Sequence, residues 1–168
     1  LEGNAKMQSK EFKKIIKSIA PNYLVINELA VAFLDIKKNQ EALDVYQKGR
    51  SIMKNTYPFN TEIADIYYRT EQYNDMTDEL LNLLELNSGY LKTVEGLLNK
   101  TAANEKGSPA NISLKKGLIQ KINQKPNSTV FSEMLIWVFM QEANWSAAFI
   151  QVKALDRRLN EEVRRVYN

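Results

Sequence analysis

The 168-residue sequence contains no cysteine and no histidine. Without cysteine the fold cannot depend on disulfides, and the thiol content gives no indication of the redox compartment. Without histidine the chain lacks the commonest general base and the commonest ligand for transition metals. No nucleophile motif, phosphate loop or metal-ligand spacing replaces them. The sequence therefore predicts a protein that is not an enzyme and needs neither a cofactor nor a small-molecule substrate.

Long apolar runs are also missing. The longest stretch without a polar residue is Met134 to Met140, well short of the roughly 20 residues that a bilayer-spanning helix needs. We therefore expect no transmembrane segment. The chain begins Leu1-Glu2-Gly3-Asn4, without an initiator Met or an apolar signal core. This start predicts a processed chain or a piece of a longer protein.

Glycine (6) and proline (4) are scarce, and apolar residues recur at helical spacing along almost the whole chain. No segment alternates strictly enough to predict a strand. The first apolar stripe, which ends at Pro21, contains Phe12, Ile15, Ile16 and Ile19. Further helices are predicted over 22–36, 40–54, 74–86, 130–141 and 146–155. Another runs from Ser108-Pro109 to about residue 125. Three more are predicted by their starts alone: one from an N-cap at Asn60, one from about Tyr90, and one from about Arg158 to the end of the chain.

A self-match at an offset of 34 residues runs through these helices. The matching pairs are Ala30 with Ala64, Phe33 with Tyr67, Ala42 with Met76, Tyr46 with Leu80, and Ile52 with Leu86. Because 34 is not a whole number of 3.6-residue turns, amphipathic helices that align by chance do not explain the step well. A repeat of this length is typical of stacked helical hairpins. A generic helical bundle is the alternative.

The offset predicts the organisation of the chain. When the 34-residue offset is extended along the chain, one interval is four residues longer than the others. We place these four extra residues in the Lys106-Gly107-Ser108 loop. The offset predicts that residues 1–168 form one domain, a fragment of a longer array. This domain would contain a half-repeat at 5–22, hairpins at 23–56, 57–90, 91–128 and 129–162, and a terminal helix at 158–168.

Two segments carry a family resemblance. Leu29-Ala30-Val31-Ala32-Phe33, followed by Glu41-Ala42-Leu43-Asp44-Val45-Tyr46-Gln47-Lys48, resembles the tetratricopeptide repeat, and so does Asn144-Trp145-Ser146-Ala147-Ala148-Phe149. The resemblance implies an all-α, right-handed α-α superhelix of antiparallel hairpins that binds a protein or peptide partner. It also implies that exposed ends of the array can stack into homo-oligomers.

The segment 147–160 is also similar to part of uncharacterised bacterial envelope-associated proteins that contain such repeats. This similarity implies a soluble bacterial protein, with its location left open between the periplasm or envelope and the cytoplasm.

In the tetratricopeptide family the first helix of each hairpin lines the concave face. The resemblance therefore implies partner contacts at Asn27, Val31, Leu34, Asp35, Thr61, Asp65, Tyr68, Arg69, Glu133, Trp137, Met140 and Gln141, with Lys92, Glu95 and Asn99 in the degenerate third repeat. Tyr68, Trp137 and Met140 are the expected anchors because large side chains supply most of the binding energy at interfaces. The alternative for Trp137 and Met140 is core packing.

Charge offers a second functional hypothesis. A lysine face on the first helix, formed by Lys6, Lys10, Lys13, Lys14 and Lys17, suits nucleic acid or an anionic membrane surface. Such a face is more often simply solvated, so nucleic acid is the less favoured partner. The arginines near the C-terminus (Arg157, Arg158, Arg164, Arg165) alternate with Asp156, Glu161 and Glu162, which predicts a salt-bridged surface helix.

Overall fold

The fold is described by a computed structural model that covers the backbone of residues 2–54 and 56–167 and the side chains of residues 10–54 and 56–160. Within these residues there are nine α-helices and two short 3-10 helices, Ser88–Tyr90 and Ala102–Asn104, and no strand. The α-helices are α1 (Glu2–Lys17), α2 (Tyr23–Asp35), α3 (Asn39–Met53), α4 (Asn60–Arg69), α5 (Tyr73–Leu86), α6 (Leu91–Leu98), α7 (Pro109–Gln124), α8 (Val130–Gln141) and α9 (Trp145–Tyr167). The all-α prediction is confirmed. Among the described residues, no helix combines the length and the apolar character needed to cross a bilayer.

Local signals set several helix boundaries. The Asn22 carboxamide oxygen accepts from the backbone N–H groups of Leu24 and Val25 and caps α2. The Ser108 hydroxyl accepts from the Asn111 N–H at 3.0 Å, and Pro109 occupies the first turn of α7. Both arrangements satisfy N–H groups that have no partner within the helix. The predicted start of α7 is confirmed.

The predicted N-cap of α4 is wrong. The helix already includes Asn60, and the capping position belongs to Phe59, whose φ of 52° lies in the left-handed region. A bulky residue adopts this conformation only when its surroundings enforce it. The Phe59 ring is fully buried and contacts the rings of Tyr23, Tyr46 and Tyr57. Aromatic packing, and not a side-chain cap, therefore determines where α4 begins.

Two further predictions need correction. The helices expected at 146–155 and from Arg158 are one helix, α9, because no proline or glycine interrupts the chain from Trp145 to Tyr167. Ile15, assigned to the packed stripe of α1, is 45% exposed, whereas Phe12 meets Phe33 edge to face with 4.9 Å between ring centroids.

The helices group into two compact units, residues 1–70 and residues 71–168. The boundary falls inside the hairpin expected at 57–90. In the first unit α2 and α3 pack along each other, and both α1 and α4 pack on α3. The buried side chains that form its core are Ile26, Ala30, Phe33, Ala42, Leu43, Val45, Tyr46, Phe59, Ile63 and Ile66.

In the second unit α7 packs against α5 and α8, and α8 packs against α9. Between α6 and α7, where the sequence analysis placed the surplus of four residues, the chain forms the 3-10 helix Ala102–Asn104 and then turns at Gly107, with φ of 82°. The buried Asn111 holds this connection by donating to the Ala103 carbonyl at 3.0 Å.

Candidate partner-binding surfaces

Four of the expected contact residues lie on α2, and two of them are presented to solvent. Val31 is 41% exposed and Asp35 is also exposed. Leu34 is partly buried against the core of the first unit. Asn27 accepts a hydrogen bond from the Tyr46 hydroxyl at 2.9 Å. Since positions 27, 31 and 35 are successive i, i+4 neighbours, they form one face of the helix.

On α4 the expected residues form a hydrogen-bonded set. Asp65 accepts from Arg69 at 2.7 Å, and both side chains are exposed. The Thr61 hydroxyl donates to Glu62 Oε2 at 2.6 Å. Tyr68 is half-buried. Each of these polar side chains therefore has a hydrogen-bond partner within α4.

Glu62 is a functional candidate that the sequence did not indicate. Its Oε1 accepts from the Tyr57 hydroxyl at 2.8 Å, while its Oε2 accepts from Thr61. Burial, followed by the hydrogen bond to Glu62, raises the pKa of Tyr57 well above its usual range. The hydrogen bond between Tyr57 and Glu62 depends on the turn at Phe59, which brings Tyr57 back toward the first turn of α4. No local pattern in the sequence predicts that turn.

Tyr46 of α3 interacts with groups on both α2 and α4. Its hydroxyl donates to Asn27 of α2. Burial, and then the charge of Glu62 on α4, raises the pKa of Tyr46 to about 12, with smaller contributions from Tyr23 and Asp65. We use the name α2–α4 surface for a candidate set of residues from these two helices: Asn27, Val31, Asp35, Glu62, Asp65 and Arg69.

The expected residues of α8 lie on one face in the second unit. Glu133 and Gln141 are exposed, Met140 is 47% exposed, and Trp137 is half-buried. Met140 is thus a surface residue, whereas Trp137 lies at the border between the core and the surface. On α6, Lys92 pairs with the buried Glu95 at 2.7 Å, and Asn99 is exposed.

A small polar cavity of about 130 Å³ lies between α5 and α7. It is lined by Asn74, Thr77, Asp78, Ser113, Lys116, Gly117 and Gln120. The buried hydroxyls of Thr77 and Ser113 lie 3.1 Å apart, and Ser113 also donates to Asn74 Oδ1 at 2.8 Å. Ligand pockets usually measure about 300–1,000 Å³, so this cavity fits a few waters and its hydroxyls serve to join the two helices.

Among the described residues, no three acidic, cysteine or histidine side chains are grouped closely enough to hold a metal ion. One carboxylate that does carry a shifted pKa is Glu85. Hydrogen bonds from Lys121 and then Lys125 lower its pKa. Because Glu85 lies at the surface, this cluster is a solvated ion-pair network between α5 and α7.

The basic face of α1 is solvent-exposed at the four lysines that the structure describes. Lys10, Lys13, Lys14 and Lys17 all point to solvent, with Lys14 paired to Glu11 at 2.7 Å. The fifth lysine, Lys6, lies outside the described side chains.

The C-terminal arginine cluster lies only partly within the described side chains. The side chains of Glu161, Glu162, Arg164 and Arg165 lie outside those described, so the expected pairing with Arg157 and Arg158 stays a prediction. Arg158 itself donates to the Ser132 hydroxyl at 2.7 Å and holds α9 against α8.

No protein-family model, no curated protein and no solved structure matches the chain. The resemblance to tetratricopeptide repeats therefore depends on the residues themselves.

Proposed function

We propose that the chain is a tetratricopeptide-like repeat protein, folded as a right-handed superhelix of hairpins, which binds a protein partner and has no chemistry of its own. The supporting observation is that the Tyr46 hydroxyl donates to Asn27 of α2, while the charges of Glu62 and Asp65 on α4 raise the pKa of Tyr46. Hydrogen bonds hold these side chains in place before a partner arrives, and such preorganisation reduces the entropy lost on binding.

The charge of the α2–α4 surface indicates the partner's chemistry. Three carboxylates, those of Asp35, Glu62 and Asp65, are present beside a single cation, Arg69. Val31 adds an exposed apolar contact on the same face. These features favour an extended peptide or a helix that carries lysine or arginine next to an apolar side chain.

Selection of a random peptide library against the chain tests this proposal. Selected peptides should be enriched in basic and apolar residues, and Asp65→Lys should weaken their binding at least tenfold. Glu105→Lys is the matched control, since Glu105 is an exposed acid of the second unit that lies on neither α2 nor α4. A library that yields no binder, or binding that Asp65→Lys and Glu105→Lys weaken equally, would exclude the α2–α4 surface as the site.

The exposed lysines of α1 support a second candidate function, the binding of nucleic acid or an anionic membrane. Association with duplex DNA or with vesicles containing phosphatidylserine should fall steeply as salt rises, because counterions are released when phosphates are neutralised. Replacing Lys10, Lys13 and Lys17 by Gln should abolish it. Peptide binding to the α2–α4 surface should be unchanged by the same lysine replacements, which separates the two functions.

A further inference from the structure

One face of α9 leaves large apolar side chains exposed. Trp145, Phe149, Val152 and Leu159 are 63%, 59%, 45% and 41% exposed. Their spacing of four, three and seven residues is that of the a and d positions of a heptad repeat, with Asp156 at the one position between Val152 and Leu159. We call these five residues the α9 seam. In the sequence the same spacing continues at Val163 and Val166, whose side chains lie outside those described.

The exposure of the seam does not come from a loosely held helix. The neighbouring flank of α9 packs on α8: Ala148 is buried there, and Arg158 donates to Ser132 of α8 at 2.7 Å. The helix is thus fixed on one side while the seam faces solvent.

The predicted repeat indicates what residues equivalent to Val152 contact in the earlier helices. Val152 follows Leu118 by 34 residues, and Leu118 follows Leu80 by 38. Leu80 and Leu118 are both buried, and only Val152 of the three is exposed. The equivalent places on earlier helices are covered by neighbouring helices, so the seam has the shape and polarity to receive another helix.

We propose that two copies of the chain pair through their α9 seams in antiparallel orientation. Parallel pairing would place Asp156 against Asp156 of the second copy and bury two carboxylates together. In antiparallel pairing Asp156 meets Val152 of the second copy, next to its Lys153, and Phe149 meets its Leu159. The Lys153 ammonium lies 4.9 Å from the centre of the Phe149 ring, at the edge of the seam, within reach of a carboxylate on the second helix. Two symmetric ion pairs result.

The size of the seam also suits a second copy. With aromatic side chains of about 150–250 Å² each, the exposed seam amounts to roughly 500 Å². Two copies would bury about 1,000 Å², which is the minimum expected of a biological interface and corresponds to a weak dimer. The interface is independent of the proposed α2–α4 surface, since it uses different residues in the other unit.

Sedimentation equilibrium tests the pairing on the whole chain. We expect a dimer that Phe149→Asp weakens at least tenfold. Ile112→Asp, a similarly exposed apolar residue on α7, is the control and should leave dimerisation unchanged. A chain that stays monomeric at about 100 μM, where even weak specific interfaces are populated, would overturn the proposal. So would equal dimerisation of Phe149→Asp and the unaltered chain.

The orientation has its own test. Lys153→Asp and Asp156→Lys should each weaken the dimer, and the combined swap should restore it. Because the chain has no native cysteine, introduced thiols give a second readout. A mixture of Val152→Cys and Asp156→Cys variants should form a mixed disulfide faster than either variant crosslinks to itself. Faster self-crosslinking of Asp156→Cys would show parallel pairing and overturn the proposed arrangement.

Discussion

The Lys115 ammonium donates a hydrogen bond to the carboxylate of Glu142 at 2.6 Å and so joins α7 to the turn between α8 and α9. Glu142 is almost completely buried, and the same oxygen also accepts from Asn111 at 2.8 Å. Its other oxygen, Oε2, has no hydrogen-bond partner among the described residues. The carboxylate therefore relies on Lys115 for its compensating charge.

Replacing Lys115 by Met should lower the free energy of unfolding by about 3 kcal/mol, since removal of one partner leaves a buried charge uncompensated. Urea denaturation followed by circular dichroism measures the loss. Lys116→Met, at the exposed neighbouring position, is the control and should change stability by less than about 0.5 kcal/mol. Replacing Lys115 and Glu142 together by Met should recover much of the loss. Equal stability of the Lys115 and Lys116 variants would show that the pair is unimportant.

Gly49 is needed for the close approach of α2 and α3. A methyl group at this position would lie 2.7 Å from Ile26 Cγ2 and 3.1 Å from Phe59 Cε2, and both of these side chains are fully buried. Gly49→Ala should therefore destabilise the first unit by about 1–3 kcal/mol through overpacking.

Gly96 supplies the matched control for that substitution. It is also helical, in α6, but no atom outside its local backbone lies within 4 Å of an added methyl. Gly96→Ala should raise stability by about 0.5–1 kcal/mol because alanine restricts the unfolded chain. Thermal unfolding compares the two variants. A melting temperature for Gly49→Ala at or above that of the unaltered chain would contradict the described packing.

Periodicity was sufficient to predict the helices but not the contacts that end or extend them. The apolar spacing placed α2, α3, α5 and α8 within a residue or two of their observed bounds. It failed at Phe59, whose left-handed backbone is set by rings that come from distant parts of the chain. It also failed at α9, which was predicted as two helices although no proline or glycine interrupts the chain from Trp145 to Tyr167.

The candidate surfaces were predicted unevenly for a related reason. Val31, Asp35 and Met140 are exposed as expected because helical phase determines which side faces the core. Asn27 and Glu62 form hydrogen bonds across 19 and 5 residues of sequence, which helical phase does not reveal. Val152 matched buried positions in the repeat but is exposed, because burial depends on a neighbouring helix and not on the residue itself.

Tyr46 should make the first unit sensitive to alkali. Its pKa is raised from 10.0 to about 12 in the folded chain, so the folded state keeps a proton that the unfolded state loses first. The stabilisation is complete below the unfolded pKa and is lost as pH rises from about 10 towards about 12. Tyr46→Phe should therefore flatten the fall in stability over this range.

The effect of Tyr46 on stability is measured as a difference between two chains, so that contributions from all other groups cancel. Urea denaturation gives the free energy of unfolding of the unaltered chain and of Tyr46→Phe. The difference between these two free energies should narrow or reverse as the pH rises. Near neutral pH the variant should be less stable by about 1 kcal/mol, through loss of the hydrogen bond to Asn27. Parallel pH profiles for the two chains would show that Tyr46 does not titrate with the expected shift.

Substitution of Tyr68 and of Trp137 tests whether these two expected anchors belong to binding surfaces or to the core. Both are half-buried, so each has enough exposed area to contact a partner and enough packing to matter for stability. If each is an anchor of a surface on its own unit, Tyr68→Ala or Trp137→Ala should weaken at least tenfold the binding of those library-selected peptides that contact that surface, because truncation of a central aromatic costs more than about 1.4 kcal/mol. Binding is measured by fluorescence anisotropy, and each melting temperature is measured alongside. A Trp137→Ala variant that binds normally but melts far lower would assign Trp137 to the core of the second unit and leave Met140 as the surface residue of that face.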